Sequence, residues 1–219
     1  SYFMFTLKKE QLDFIRFPLG DLTKEQTREI ARELDLSIAE KPDSQDICFV
    51  QEGRYTNLIN KLLPKSTTKG NIVNMSGEVV GEHDGIVNFT IGQRRGIGYA
   101  SGIPNYVIDI DSQSLNVMIG PKECLGVNQI ILDEVNWLGP NEIFSKAEYE
   151  TPIFVKVRST SDPVEAKLSK KNNQILVELK NPEYGVAPGQ ACVFYDSIKP
   201  ISRILGGGWI VKNNNKNLN

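Results

Sequence analysis

At 219 residues, with 40% hydrophobic and 24% charged side chains, the chain has room for one large domain or two to three small ones and the composition of an ordinary soluble globular protein. A formal net charge of −2 offers nucleic acid no global attraction, so any RNA affinity must come from local basic patches. One histidine and three widely spaced cysteines without a Cys-x-x-Cys argue against a metal centre or a disulfide framework and favour a reducing cytoplasm.

No stretch approaches the roughly 20 apolar residues of a membrane span, and no basic leader precedes the first element. Thr23-Lys24-Glu25-Gln26 has capping-box spacing and predicts a helix start, after which Ile30, Ala31 and Leu34 form one apolar stripe. Tyr55, Leu58, Ile59, Leu62 and Leu63 repeat at helical spacing and predict a second helix, which Pro64 stops. Beyond Pro64 the pattern changes to short alternating runs with turn signals, which predicts strands. Tyr106 to Ile110 and Leu115 to Ile119 flank Asp111-Ser112-Gln113-Ser114 as a hairpin. Ile153, Val155 and Val157, then Val164, Ala166 and Leu168, then Ile175, Val177 and Leu179 each alternate with other residues, Asn172-Asn173 turning the last pair. Strands at this spacing predict a small barrel or sandwich. Ala187-Pro188-Gly189-Gln190 reads as a turn into the strand around Val193. Leu205-Gly206-Gly207-Gly208-Trp209 lacks a following helix, so its glycines mark a bulge or a close approach of strands and not a nucleotide loop. Residues 212–219 are low in complexity and are expected to be a disordered tail.

Three features could carry chemistry. Cys48 lies in Lys41-Pro42-Asp43-Ser44-Gln45-Asp46-Ile47-Cys48-Phe49, an irregular polar segment between the two predicted helices, where reactive groups are commonly presented. A bland reading buries it between Ile47 and Phe49 as a small hydrophobe. A reactive reading needs an accessible thiolate, which Asp43 and Asp46 oppose unless their side chains are spent, with Ser44, on local turn bonds. Cys124 and Cys192 sit in strand-like or strand-edge contexts and are read as packing residues. His83, the sole candidate base for a cysteine hydrolase, stands in the turn-rich Gly81-Glu82-His83-Asp84-Gly85 and is read as structural or surface, so the hydrolase is rejected. Gln93-Arg94-Arg95 in a glycine-rich setting is the best local nucleic-acid signal, with a solvated hairpin tip as the alternative. Lys61, Lys65 and Lys69 could add phosphate contacts or serve only solubility.

Taken in order, Ser1-Tyr2-Phe3, Phe17-Pro18-Leu19-Gly20, Asp43 to Phe49, Gly81 to Gly85, Thr90 to Gly96, Ala187 to Gln190, Val193-Phe194-Tyr195 and Leu205 to Gly208 resemble the tRNA-specific 2-thiouridylases, enzymes that place sulfur on the wobble uridine of certain tRNAs. The resemblance implies an α+β chain. The helical end of an ATP-pyrophosphatase-type α/β domain (1–64, with Cys48) leads to a small β-rich central tRNA-binding domain (65–124), then a C-terminal β-barrel of six to seven strands (125–211) and the tail (212–219). It implies that Cys48, supported by Asp43, Ser44, Asp46 and Phe49, accepts sulfur from a cysteine desulfurase or sulfur-relay protein as a persulfide. That persulfide would attack an adenylated wobble uridine, with a second cysteine elsewhere in the protein closing the cycle. It implies that Gln93, Arg94 and Arg95 contact the tRNA anticodon arm. ATP, with Mg, is expected to be bound by an upstream part, because the family's serine-glycine-glycine loop is absent here and the chain starts without an initiator methionine. On that reading the chain is a C-terminal portion, inactive alone and binding no cofactor itself. Where the family often has an arginine-aromatic-arginine string, this chain has Val157-Arg158-Ser159-Thr160, which weakens the case for RNA contact from the barrel. The rival expectation is a non-catalytic tRNA- or protein-binding β module that keeps Cys48 as structure.

Overall fold

Thr23 starts a helix as its spacing predicts: its hydroxyl oxygen accepts the Gln26 amide at 3.2 Å, and the Gln26 carboxamide oxygen accepts the Thr23 amide at 2.8 Å. The computed structural model describes residues 2–42, 59, 67–140, 153–171, 174–199 and 201–214. A 3₁₀ segment (Tyr2–Thr6) and two helices, α1 (Lys9–Phe14) and α2 (Lys24–Glu33), make up the first part. The apolar stripe of α2 is formed but not buried: Ile30 is 39% and Leu34 63% exposed, and no described element packs over them. The second predicted helix, with Pro64, lies outside the described residues apart from Ile59, which is helical.

The central domain is a four-stranded sheet of β1 (Gly70–Val73), β2 (Val79–His83), β3 (Tyr106–Asp111) and β4 (Asn116–Gly120), in the order β2-β1-β4-β3. Only the β1–β4 pairing is parallel. The predicted hairpin is β3–β4, and Asp111 closes its turn by accepting the Gln113 amide at 2.8 Å and the Ser114 hydroxyl at 2.6 Å. Those bonds, the Ser114 one foremost, hold the Asp111 carboxyl below its usual range. Ile72, Val107, Val117 and Ile119 form the core, joined by Ile97 from the loop between β2 and β3. Pro121 cannot extend the ladder, so β4 ends and Cys124 falls in a short 3₁₀ helix (Lys122–Leu125) at the edge of the next strand, which begins at Gly126.

A closed six-stranded antiparallel barrel follows, built from β5 (Gly126–Trp137), β6 (Ile153–Lys156), β7 (Val164–Lys171), β8 (Gln174–Tyr184), β9 (Ala191–Tyr195) and β10 (Ile204–Asn214) in the circular order β10-β5-β8-β7-β6-β9. The alternating residues of the sequence line its interior: Ile153 and Val155, Ala166 and Leu168, and Ile175, Val177 and Leu179 are all buried. The Asn172-Asn173 turn lies outside the described residues. Pro188 and Gly189 make the expected turn, Gly189 at φ +82°. Residues 212–214, assigned to the tail from composition, extend β10 instead, because the long β5 offers Ile131, Ile130 and Gln129 as ladder partners.

Strand β9 is buried on both faces. Cys192 and Phe194 point into the barrel, while Ala191, Val193 and Tyr195 pack outward against Tyr2 and Phe5. The Tyr2–Leu7 segment therefore acts as an outer cover for the barrel wall. The Tyr2 hydroxyl donates to the Ala191 carbonyl at 2.6 Å, and the Asn136 amide nitrogen donates to the carbonyls of Phe5 at 2.6 Å and Leu7 at 2.7 Å. The Lys9 ammonium adds a bond to the Gly139 carbonyl at 3.2 Å. Phe5 reaches the wall because Gly207 has no side chain: a Cβ there would sit 2.9 Å from the Phe5 ring and 2.8 Å from the Cys192 carbonyl. Register breaks on either side of Gly206 and Gly207 complete the bulge that the glycine run predicts.

Replacing Asn136 with alanine strips both carbonyls of their donor and should cost about 1–3 kcal/mol. Urea denaturation measures the loss, and limited proteolysis should show earlier cleavage between Tyr2 and Leu7; unaltered stability and cleavage would mean the cover is held by apolar contact alone.

Candidate functional site

The loop from Thr90 to Gly96 leaves the central sheet after β2 and is braced at its base by His83. The His83 Nδ1 accepts the Gly85 amide at 3.0 Å, which places the ring proton on Nε2, 3.0 Å from the Leu115 carbonyl. The ring is buried edge-on to Phe89 at 5.1 Å between centroids. Both nitrogens are thus engaged in holding two turns together, and neither is free to serve as a base.

Gln93 organises the loop from within. Its carboxamide oxygen accepts the Thr90 amide at 3.0 Å, and its amide nitrogen donates to the Arg95 carbonyl at 2.9 Å. Backbone bonds from Gly92 to Val107 (2.8 Å) and from Val107 to Gln93 (2.9 Å) tie the loop to β3. With Ile97 buried below, Arg94 and Arg95 are left on the exposed crest. The sequence placed Gln93 beside the two arginines as a contact residue; the structure gives its side chain the task of shaping their backbone.

The flank of this loop is barrel. Gly185, buried at φ +68°, faces Gly92, whose added Cβ would lie 3.5 Å from the Gly185 Cα. The Arg158 guanidinium, on the turn after β6, donates to the Tyr184 carbonyl. The Lys122 ammonium, from the connection between the two β domains, stands 5.2 Å from the centroid of the Tyr184 ring. Lys122 and Arg158 thus meet at Tyr184, beside the base of the loop that carries Arg94 and Arg95, and among the described residues none of the four pairs with a carboxylate. Sequence reasoning found the first two. Lys122 and Arg158 come from distant segments, and no local pattern marks them as neighbours of the loop. Lys69 lies elsewhere, exposed and 3.8 Å from Asp84, while Lys61 and Lys65 fall outside the described residues.

Cys48, with Asp43, Ser44, Asp46 and Phe49, lies outside the described residues. Of the other thiols, Cys124 is half-buried and Cys192 is fully buried, where burial pushes its thiol far above the ordinary range. Burial raises the phenols of Tyr2 and Tyr195 as well. Among the described residues no group of three or more His, Cys, Asp or Glu could hold a metal ion, and no helix is long and apolar enough to cross a membrane. The described residues before 43 contain helical segments and no strand.

The Cys192 burial has a pH signature. The folded chain keeps the thiol protonated where the unfolded chain releases that proton, above about pH 8.5. Stability should therefore be flat below that pH and fall above it, with a slope approaching about 1.4 kcal/mol per pH unit. Urea denaturation of Cys192→Ala should show a shallower decline between about pH 8.5 and 9.5, below the ordinary tyrosine range of about 10; an identical decline in both proteins would assign it to other groups.

Three family models cover the chain in succession: "tRNA methyl transferase HUP domain" over residues 1–52, "tRNA methyl transferase PRC-barrel domain" over 56–121 and "Aminomethyltransferase beta-barrel domain" over 127–210. The chain is also 51% identical over 212 residues to the tRNA-specific 2-thiouridylase MnmA of Nitrobacter hamburgensis, an alignment that takes in 97% of this chain and 53% of that protein. Proteins of the same name from Rhodopseudomonas palustris and Agrobacterium fabrum are 51% and 50% identical, each over 96% of this chain and 53% of their own length. The chain thus spans about half the length of the curated relatives it matches. The domain models and these relatives differ in the chemistry their names state.

Proposed function

We propose that this chain, which belongs to the family of tRNA-specific 2-thiouridylases, is the sulfur-carrying and RNA-docking part of a tRNA-uridine 2-sulfurtransferase. The observation that carries the reading is the 51% identity over 97% of the chain to a protein of that name. Cys48 lies within the segment that the HUP-domain model matches. As a thiolate, Cys48 takes a sulfane sulfur from a cysteine desulfurase or relay protein and holds it as a persulfide. The terminal sulfur attacks C2 of a wobble uridine already activated at that carbon, and the activated oxygen leaves. A thiol outside this chain then attacks the Cys48 sulfur, which frees the 2-thiouridine and leaves a disulfide for a thiol reductant to open. Asp43, Ser44, Asp46 and Phe49 are the motif residues that would support the thiol.

ATP, with Mg, would be a substrate of the whole enzyme, held chiefly by residues outside this chain. The chain alone would be inactive. The RNA surface is the crest of Arg94 and Arg95, with Gln93 holding its shape and the anticodon arm as partner; exposed guanidinium groups there can bridge phosphates or stack on unpaired bases. The proposed compartment is the cytoplasm.

Incubating the chain with a cysteine desulfurase and cysteine should add one sulfur at Cys48, located by peptide mass spectrometry and missing from Cys48→Ser. Absence of the adduct, with Cys48 also refusing alkylation in the full-length protein, would replace the enzyme by a β module that keeps the motif as structure. Replacing both Arg94 and Arg95 with alanine should weaken tRNA binding and make its log–log salt slope shallower by about 0.7–0.9 per lost phosphate contact. A slope identical to the parent's would make the crest a solvated tip.

A further inference from the structure

We infer that Arg158 is a positioning residue: it latches the barrel to the Thr90–Gly96 loop and so sets where Arg94 and Arg95 stand. The sequence suggests instead a lone barrel arginine stripped of its usual neighbours. The geometry gives it a specific bond. Its guanidinium donates to the Tyr184 carbonyl, the last residue of β8, and its Nη2 would be 3.0 Å from a Cβ built on Gly185. Gly185 is in turn buried against the loop: the Ile91 carbonyl would lie 3.8 Å from that same Cβ, and a Cβ built on Gly92 would lie 3.5 Å from the Gly185 Cα. The positive φ of both glycines, +68° and +87°, leaves no side chain between the two backbones. The contact runs from Arg158 through Tyr184 and Gly185 to Gly92, one residue before Gln93, whose side chain shapes the arginine crest. Lys122 against the Tyr184 ring holds the same residue from the inter-domain connection.

A guanidinium bound to a backbone carbonyl keeps its charge but has fewer donors left for a phosphate, so the main effect of Arg158 on RNA is indirect. This inference rests on the RNA-docking reading, yet the latch itself can be tested without RNA. In Arg158→Ala, amide hydrogen exchange should quicken across residues 90–96, where the Gly92 and Gln93 amides are bonded, while the buried strands β5 and β8 keep the parent rate. Gly185→Ala, which removes no charge and strains a positive φ, should quicken the same amides. In tRNA binding, Arg158→Ala should lose about five-fold in affinity with the salt slope unchanged. Loop exchange at the parent rate in both variants overturns the latch. A slope shallower by about 0.7–0.9 would make Arg158 a direct phosphate contact and overturn the positioning role. If the parent chain binds no tRNA, the RNA reading fails by itself, and the exchange result still decides the latch.

Discussion

The arrangement of this chain depends on Phe5 lying against Gly207. An aromatic ring can press on a barrel wall only where the wall has no side chain, and the glycine run in β10 opens that gap beside a register break. Once Phe5 is seated, the outer face of β9 is covered, and a strand that would otherwise need polar residues outside can be Ala-Cys-Val-Phe-Tyr throughout. Tyr2 and Asn136 add directional bonds, so the segment is fixed in orientation as well as in position. The Tyr2–Leu7 segment is thereby joined to the barrel by more than the covalent connection through the central domain.

A second junction, smaller and more polar, joins the central sheet to the same barrel. Its close approach is again between glycines, Gly92 and Gly185, but what surrounds it is charge. The two junctions differ in what they can tolerate. The first is apolar and resists water; the second has exposed cations around it, where the proposed RNA partner would lie. A net charge of −2 for the whole chain is compatible with such a partner because the charges that matter are concentrated, not abundant.

Much of this was legible in the sequence wherever a local rule governs. Alternation in Ile153–Val155, Ala166–Leu168 and Ile175–Val177–Leu179 named the barrel interior, and Asp111 with Ser114 named the hairpin turn, since both follow from neighbours within a few residues. The helix at Thr23 was equally plain, but an apolar stripe says only that a face wants cover, and Ile30 and Leu34 have none among the described residues. The cation pair at Arg94 and Arg95 was readable as a patch. Its neighbours Lys122 and Arg158 were not, because their proximity is set by barrel closure and domain docking. The role of Gln93 was hidden for a related reason: a glutamine in a glycine-rich turn offers the same donors and acceptors whether it faces solvent or its own backbone. The tail was misjudged at residues 212–214 because composition does not reveal that β5 is long enough to pair with them.

The reach of the Tyr2 bond also has a consequence in time. Its acceptor, the Ala191 carbonyl, lies 189 residues further along the chain. At a synthesis rate of about 5–20 residues per second, about 10–40 s pass between the emergence of the aromatic segment from the ribosome and that of the wall it covers. During that interval Tyr2 and Phe5 have no native partner, and the apolar side chains of the first helices stand beside them. The segment cannot dock before that wall exists, so translation speed sets a lower limit on how long it stays uncovered. Slow codons ahead of β9 would lengthen that exposure, and chaperones that hold short aromatic stretches would find their work at the Tyr2–Phe5 segment until the wall it covers has been made.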